Sequence, residues 1–242
     1  MSDEILAERR LAQLYDPLNS DRSDLDAYLA MVDELGARSV LDIGCGTGTF
    51  ACLLAGRGLD VTAVDPAAES LDIARAKPGA DRVRWVHGYA ANLPPLRVDV
   101  ATMTANVAQE IVTDDGWART LAATCAALRP GGRLIFETRD PAAQAWLGWN
   151  PEQSCEHAVV PGVGGVRQWF EVTDASDGLV TFRGTYIFEA DGVRMTPTST
   201  LRFRTRDEVS ASLTAAGYRL EGVREAPDRP GRELVFIAVR PE

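Results

Sequence analysis

The sequence predicts an α/β chain: a doubly wound, mostly parallel seven-stranded sheet, with an antiparallel β insertion after the fifth strand. Three observations predict it. Short β-branched runs alternate with helical stretches as far as residue 140, the pattern of a parallel sheet wrapped by helices. Beyond residue 165 the pattern changes to strand-like runs separated by Asp177-Gly178 and Asp191-Gly192, pairs that favour tight hairpins because both positions tolerate positive φ. The length, 242 residues, suits one generous domain or one with a sizeable insertion, enough to bury a core without disulfide or metal staples.

Taken in order, Leu25, Leu29, Val32 and Leu35 line one face of a helix over 24–36. The segment before it, containing Tyr15-Asp16, has no clear period. Residues 39–43 read as the first strand, 50–54 as the start of a helix, 60–64 as the second strand and 67–75 as helix. Strands three and four fall at 83–87 and 98–103. A helix over 114–128 stops at Arg129-Pro130-Gly131-Gly132, since Pro and Gly just past a helix end are stop signals, and strand five follows at 133–138. After Pro141 come Trp146, Trp149 and Trp169, a loop at 161–165, and strand-like runs at 166–172, 179–188 and 193–203. Residues 206–216 return to helix, closed by Gly217, and two final strands, 218–224 and 233–239, suit an antiparallel arrangement. The chain thus divides into an N-terminal helical lid (1–38), a core (39–140), the insertion over the acceptor site (141–204) and the closing helix and strands (205–242). Repeats and low-complexity tracts are absent.

Formal net charge is −10, from 25 basic against 35 acidic residues. That argues against capture of nucleic acid or an anionic membrane, which needs clustered Lys and Arg. Only Lys77 is a lysine; the other 24 basic residues are arginines, a bias expected of a high-GC bacterial genome. The four cysteines form no C-x-x-C pair, so neither a zinc site nor a disulfide framework is expected. No apolar run approaches 18 residues and the segment 1–10 lacks a signal-peptide core. A cytoplasmic protein, monomeric or homodimeric, is the expectation.

Asp42-Ile43-Gly44-Cys45-Gly46-Thr47-Gly48 joins the first strand to the first helix. Glycines there let the chain turn sharply and let a ligand approach the backbone. The dinucleotide fingerprint would place its third glycine at position 49, which is Thr49. Asp65 ends the second strand, 21 residues after Gly44, where a carboxylate can accept from both ribose hydroxyls.

At these residues the sequence resembles the class I S-adenosylmethionine-dependent methyltransferases, whose first motif is an acid followed by Gly-x-Gly-x-Gly. A Gly-rich turn in another nucleotide-binding α/β fold is the plainer alternative. The resemblance covers 39–140 and continues after 205. Leu128–Leu134 resembles the family's turn before its fifth strand, and Val98-Asp99-Val100 its fourth strand. It implies a Rossmann-like sheet of the small-molecule type, S-adenosyl-L-methionine as cofactor, no metal, and in-line SN2 methyl transfer to oxygen or nitrogen of a small acceptor. By the same analogy Asp42 and Gly44 hold the methionine part, with Gly46 and Gly48 completing the loop. Asp65 and Pro66 take the ribose, and Tyr89 and Ala90 the adenine edge. Thr104 and Asn106 follow the fourth strand, and Tyr15 resembles a lid tyrosine that closes over the cofactor. A tyrosine packed on the core is the alternative for Tyr15. Many relatives carry Gly-Asp-Ala where this chain has Gly88-Tyr89-Ala90.

Aligned approach alone accounts for roughly 7–11 kcal/mol of barrier lowering, so a dedicated base is optional. Candidates near the acceptor are His157 in the insertion loop, Glu110 after the fourth strand and Arg139 at the end of the fifth. His157 and His87 also suit purely structural roles, Glu110 a solvated helix carboxylate, and Arg139 either an acceptor carboxylate or a salt bridge. Asn106 and Gln109 suit either a polar acceptor or a helix cap. The tryptophans line an apolar pocket or form the core of the inserted sheet. Arg202 and Arg204 alternate with Phe203 and should share a strand face, and 228–232 should make the last hairpin turn. Two other functions remain open: a non-catalytic S-adenosylmethionine-binding regulator, and a nicotinamide-dependent oxidoreductase. Thr49 and the lack of a Tyr-x-x-x-Lys set count against the second. A nucleic-acid methyltransferase is disfavoured by the lack of a basic stripe and of an Asn/Asp-Pro-Pro-Tyr/Phe motif.

Overall fold

The computed structural model describes residues 9–242, so the first eight positions of the expected N-terminal segment lie outside the described residues. Two helices, α1 (Arg9–Leu18) and α2 (Asp24–Glu34), lead into β1 (Ser39–Ile43), α3 (Thr49–Gly56), β2 (Asp60–Asp65), α4 (Ala68–Arg75), β3 (Val83–His87) and β4 (Val98–Met103). Then follow α5 (Val107–Glu110), α6 (Asp114–Ala127) and β5 (Leu128–Arg139). The chain returns to the same sheet through α8 (Arg206–Ala215), β11 (Arg219–Glu225) and β12 (Glu233–Val239).

These seven strands form one sheet in the order β11-β12-β5-β4-β1-β2-β3. The pairs β1–β2, β1–β4, β2–β3 and β4–β5 are parallel, and β12 lies antiparallel between β5 and β11. This is the expected doubly wound, mostly parallel sheet. All five residues of β1 are buried, as a central strand covered on both faces requires. One face packs through Leu41, Met103, Leu121, Phe136 and Phe236, the other through Val40, Phe50, Leu54, Val61 and Ile237. Strand order reverses between β1 and β4, and ligands of open α/β sheets bind beyond the strands' carboxyl ends at such a point.

Between β5 and α8 the chain builds a second, antiparallel sheet. Its members are β6 (Glu156–Val160), β7 (Gly164–Ser176), β8 (Leu179–Phe188) and β10 (Thr198–Arg202), in the order β10-β8-β7-β6, with β9 (Arg194–Met195) paired to β8. A one-turn helix, α7 (Pro151–Ser154), precedes it. Asp177 and Gly178 both take positive φ, at 53° and 73°, as a tight hairpin demands.

The Tyr15-Asp16 segment is helical; only Leu11, Ala12 and Leu14 of α1 are buried, the two leucines against Val160, Val166, Tyr186 and Phe188 of the second sheet. So short a helix draws its stability from distant packing, which leaves little period to read. Three local expectations are corrected. His157 lies on β6, not in a loop. Arg129 to Gly132 belongs to the start of β5, where a register shift against β4 absorbs it. The run 193–203 is split at Pro197 into β9 and β10, because proline has no N–H for the ladder.

Arg202 and Arg204 also diverge. Arg202 bonds the Asp177 carbonyl and pairs with Glu208, whereas Arg204 is buried and donates to the Ile111 carbonyl at 3.0 Å and Asp114 at 3.2 Å. The strand ends at Arg202, so alternation no longer governs Arg204. Trp146 packs edge-on to Phe203 at 4.6 Å and Trp149 against Phe182 at 4.9 Å, within the core of the second sheet. No helix among the described residues is long and apolar enough to cross a membrane.

Candidate functional site

The site grows from the end of β1. Asp42 is buried there, and Thr102 Oγ1 donates to its Oδ1 at 3.1 Å. Its Oδ2 has no hydrogen-bond partner among the described residues. Burial pushes the carboxyl up to about 7, against the lowering effect of the Thr102 bond. A buried, half-satisfied carboxylate is costly unless a ligand completes it.

Next to it the chain turns through Gly44, Gly46 and Gly48, all at positive φ. The N–H groups of Gly44 and Cys45 both donate to the Val64 carbonyl, at 2.8 and 3.2 Å, which fastens the loop to β2. A Cβ on Gly44 would lie 2.5 Å from Val107 Cγ1, and one on Gly48 2.5 Å from the Trp85 ring; at Gly46 nothing lies within 4 Å. Two glycines therefore serve close packing, and the third borders open space where a Cβ would stand. Asp65 is buried beneath the loop, where Oδ2 accepts from Gly46 N at 2.7 Å and Oδ1 from Ala67 N at 2.8 Å.

Helix α1 closes over this loop. Asp16 accepts from Thr47 Oγ1 at 2.7 Å and pairs with Lys77 Nζ at 2.7 Å, while Lys77 also donates to Thr49 Oγ1 at 2.7 Å. Helix α1 and the loop border a cavity of about 560 Å³ between the two sheets. Tyr15, Asp42, Gly44, Gly46 and Thr104 line one end; Glu156, Gln168, Phe170 and Tyr186 of the second sheet line the other. Glu110, Arg139 and Arg229 also reach it. Burial pushes the Tyr15 phenol up.

The loop after β4 is held by acids. Ala105 and Asn106 take left-handed φ values of 57° and 63°, a conformation that costs non-glycine residues energy and persists where surroundings enforce it. Asn106 N donates to Glu137 Oε1 at 3.1 Å and its side-chain amide to Glu233 Oε1 at 3.2 Å. Burial, then the neighbouring Glu233 charge, pushes the Glu137 carboxyl up to about 8. Arg139 Nη1 donates to Gln109 Oε1 at 2.9 Å, and its guanidinium lies over the Trp149 ring at 5.4 Å. Burial pulls the Arg139 guanidinium below its ordinary value.

Of the sequence-derived candidates, the cavity brings together Tyr15, Asp42, Gly44, Gly46, Thr104, Glu110 and Arg139. Gly48 sits behind the loop, and Pro66 offers its carbonyl to His87 Nε2 at 2.9 Å. Tyr89, 58% exposed, and Ala90, buried, lie beyond β3 and do not border the cavity, and Asn106 is turned to the acids behind it. His157 is also outside: Glu156 faces the cavity, so the next residue of the strand faces away, where His157 Nε2 lies 3.3 Å from Glu189 Oε2. The sequence reading missed Lys77, Glu137, Gln168, Tyr186 and Glu233 as parts of this region. A visible signal existed for Glu137, an acid directly after the apolar run Leu134-Ile135-Phe136.

Residues 40–132 match a family profile described as "Methyltransferase domain". An uncharacterised methyltransferase of Mycobacterium tuberculosis is 37% identical over 120 residues, covering 47% of this chain and 44% of the relative. A ubiquinone biosynthesis O-methyltransferase of Idiomarina loihiensis is 32% identical over 141 residues, covering 52% and 56%. The chain thus matches about half the length of these curated relatives. The X-ray structure of the sugar N-methyltransferase KedS8 from Streptoalloteichus superimposes with a TM-score of 0.75 at 22% identity, over 95% of this chain and 92% of that one; this likeness is one of fold.

Proposed function

Residues 40–132 match a methyltransferase domain, and from that premise we propose that the protein is a class I S-adenosylmethionine-dependent methyltransferase that methylates an oxygen or nitrogen of a small-molecule acceptor. The observation that carries the reading is the orphaned Asp42 Oδ2 in a cavity that Gly44 and Gly46 also line. S-Adenosyl-L-methionine, when bound, supplies a methyl group activated on a positively charged sulfur. Asp42 and the backbone of Gly44 and Gly46 hold its methionine part, and Asp65 at the end of β2 its ribose. Tyr15 and α1 cover the loop and exclude water, with Asp16 and Lys77 fastening the cover. The second sheet overhangs the acceptor, so that 141–204 works as an acceptor cover and 1–38 as a lid. Glu110 and Arg139 meet the acceptor as orienting groups; His157 is left out of that role because it faces away from the cavity.

An open cavity of this size between the sheets favours an enzyme over a binding-only regulator. Calorimetry with S-adenosylmethionine and with NADH separates the reading from an oxidoreductase: tight NADH binding without a response to S-adenosylmethionine sinks it. Asp65→Ala should weaken cofactor binding by about 1–3 kcal/mol; unchanged affinity removes Asp65 from the site.

A pH dependence follows from Asp42. Its carboxyl titrates at about 7 in the free protein, and a cationic ligand favours the ionised form. Proton release then accompanies binding, so affinity rises with pH. S-Adenosylmethionine should bind about 10-fold tighter at pH 8 than at pH 6, and Asp42→Asn should bind weakly with a flat profile. Equal slopes for the two proteins remove Asp42 as the responsible group.

A further inference from the structure

A second cavity of about 250 Å³ is lined by Arg139, Ala145, Trp149, Arg229, Arg232 and Glu233. Arg139 and Arg229 border both. In a chain of net charge −10, three guanidinium groups converging on one small space is a local reversal of sign. The acids nearby do not cancel it. Glu233 is buried and engaged with Arg229 at 2.7 Å, with Arg139 at 3.8 Å and with the Asn106 amide. Asp228 pairs with Arg229 at 3.4 Å. Arg232 makes no side-chain hydrogen bond or ion pair among the described residues, although its backbone is fixed: its N–H donates to the Arg229 carbonyl at 3.1 Å and its carbonyl accepts from Asp140 N at 2.8 Å. Glu137 also acts on Arg139 and Arg229, but burial pushes its carboxyl up to about 8, so at neutral pH it adds little negative charge; the guanidinium without a partner is held on an anchored turn. The opposite wall is apolar, Ala145 and the Trp149 ring.

We propose that this second cavity is a subsite for an anionic group, a carboxylate or a phosphate, carried by the acceptor and bound by Arg139, Arg229 and Arg232. The inference rests on the methyl-transfer reading above and narrows its acceptor to molecules with one anionic end. Guanidinium forks bind such groups through paired N–H donors, and the carbon body beside the anion lies against Trp149. Arg232 supplies the charge that the internal acids leave unbalanced. The arrangement also accounts for a turn at 228–232 that reaches the site although it belongs to the last hairpin.

The test uses the full chain saturated with S-adenosylhomocysteine, at constant ionic strength, titrated with malonate, inorganic phosphate or the neutral malonamide, and followed by melting temperature and calorimetry. Malonate or phosphate should raise the melting temperature saturably, and malonamide should not. A response to malonate alone assigns a carboxylate, and to phosphate alone a phosphoryl group. Arg232→Gln, an exposed position with no side-chain partner to lose, should weaken that anion at least 10-fold while S-adenosylhomocysteine affinity stays within twofold, and Arg232→Lys should keep part of the binding. If neither anion binds saturably, or if R232Q binds it as the wild type does, the subsite is overturned. Failure of S-adenosylhomocysteine to bind overturns the methyl-transfer reading instead, and the anion titration without it still reports on the arginines.

Discussion

Gly44→Ala is expected to cost about 2–5 kcal/mol of stability and to remove S-adenosylhomocysteine binding. Gly44 sits at φ +67°, where an L side chain is strained, and its Cβ would approach both methyls of Val107, at 2.5 and 2.6 Å, and the Val107 Cβ at 3.1 Å. Valine is stiff at χ1 and presents no flexible end to move aside. The left-handed conformation alone costs about 1–2 kcal/mol, and an overpacked site typically a further 1–3. Relief requires the loop to move away from α5, which breaks the bonds from Gly44 and Cys45 to Val64 and displaces the Asp42 carboxylate from the cavity. Gly46→Ala separates the two components. Its φ is +52° but nothing lies within 4 Å, so it should lose only about 1–2 kcal/mol while its methyl enters the ligand's space and binding fails. Gly44→Ala combined with Val107→Ala should regain part of the lost stability, because it removes the clash and keeps the strain. Urea unfolding and calorimetry on the three variants check the order; a G44A protein with wild-type midpoint and affinity refutes the account.

That contrast also explains which parts of the molecule were legible in the sequence. The glycine loop is local: strand, acid, spaced glycines and helix are read within a dozen residues, and the parallel core with it. Asp177-Gly178 announced its hairpin for the same reason. Helix α1 and the Asp16–Lys77 pair depend on partners far along the chain, and no local period encodes them. Lys77, the single lysine, pairs with Asp16 because α1 lies over the loop. His157 drew attention by residue type, yet the two-residue alternation of β6 sends Glu156 to the cavity and His157 away. Glu137 and Glu233 escaped notice as a pair because adjacency of β5 and β12 is a property of the assembled sheet.

Glu137→Gln should flatten a loss of stability with rising pH and leave the protein more stable than the wild type above pH 8, by about 1–3 kcal/mol. Burial, with Glu233 nearby, holds the Glu137 carboxyl at about 8 in the folded chain, against an ordinary value of 4.5. Between those values the folded state binds the proton and the unfolded state does not, so stability from this group falls as pH rises through that window and is constant outside it. A glutamine retains the carbonyl oxygen that accepts from Asn106 N and carries no charge to bury. Relaxation and water penetration around the ionised Glu137 keep the expected gain below the full shift. Glu233→Gln should behave oppositely and destabilise throughout, because it strips Arg229 of its 2.7 Å partner beside a cavity. Urea midpoints from pH 5 to 9 distinguish the cases, and parallel wild-type and E137Q profiles would refute the assignment. The consequence reaches the site itself. Glu137 and Glu233 hold Asn106 from two sides in its left-handed conformation, so the acid state behind the sheet and the shape of the loop that carries Thr104 and Glu110 into the cavity are coupled.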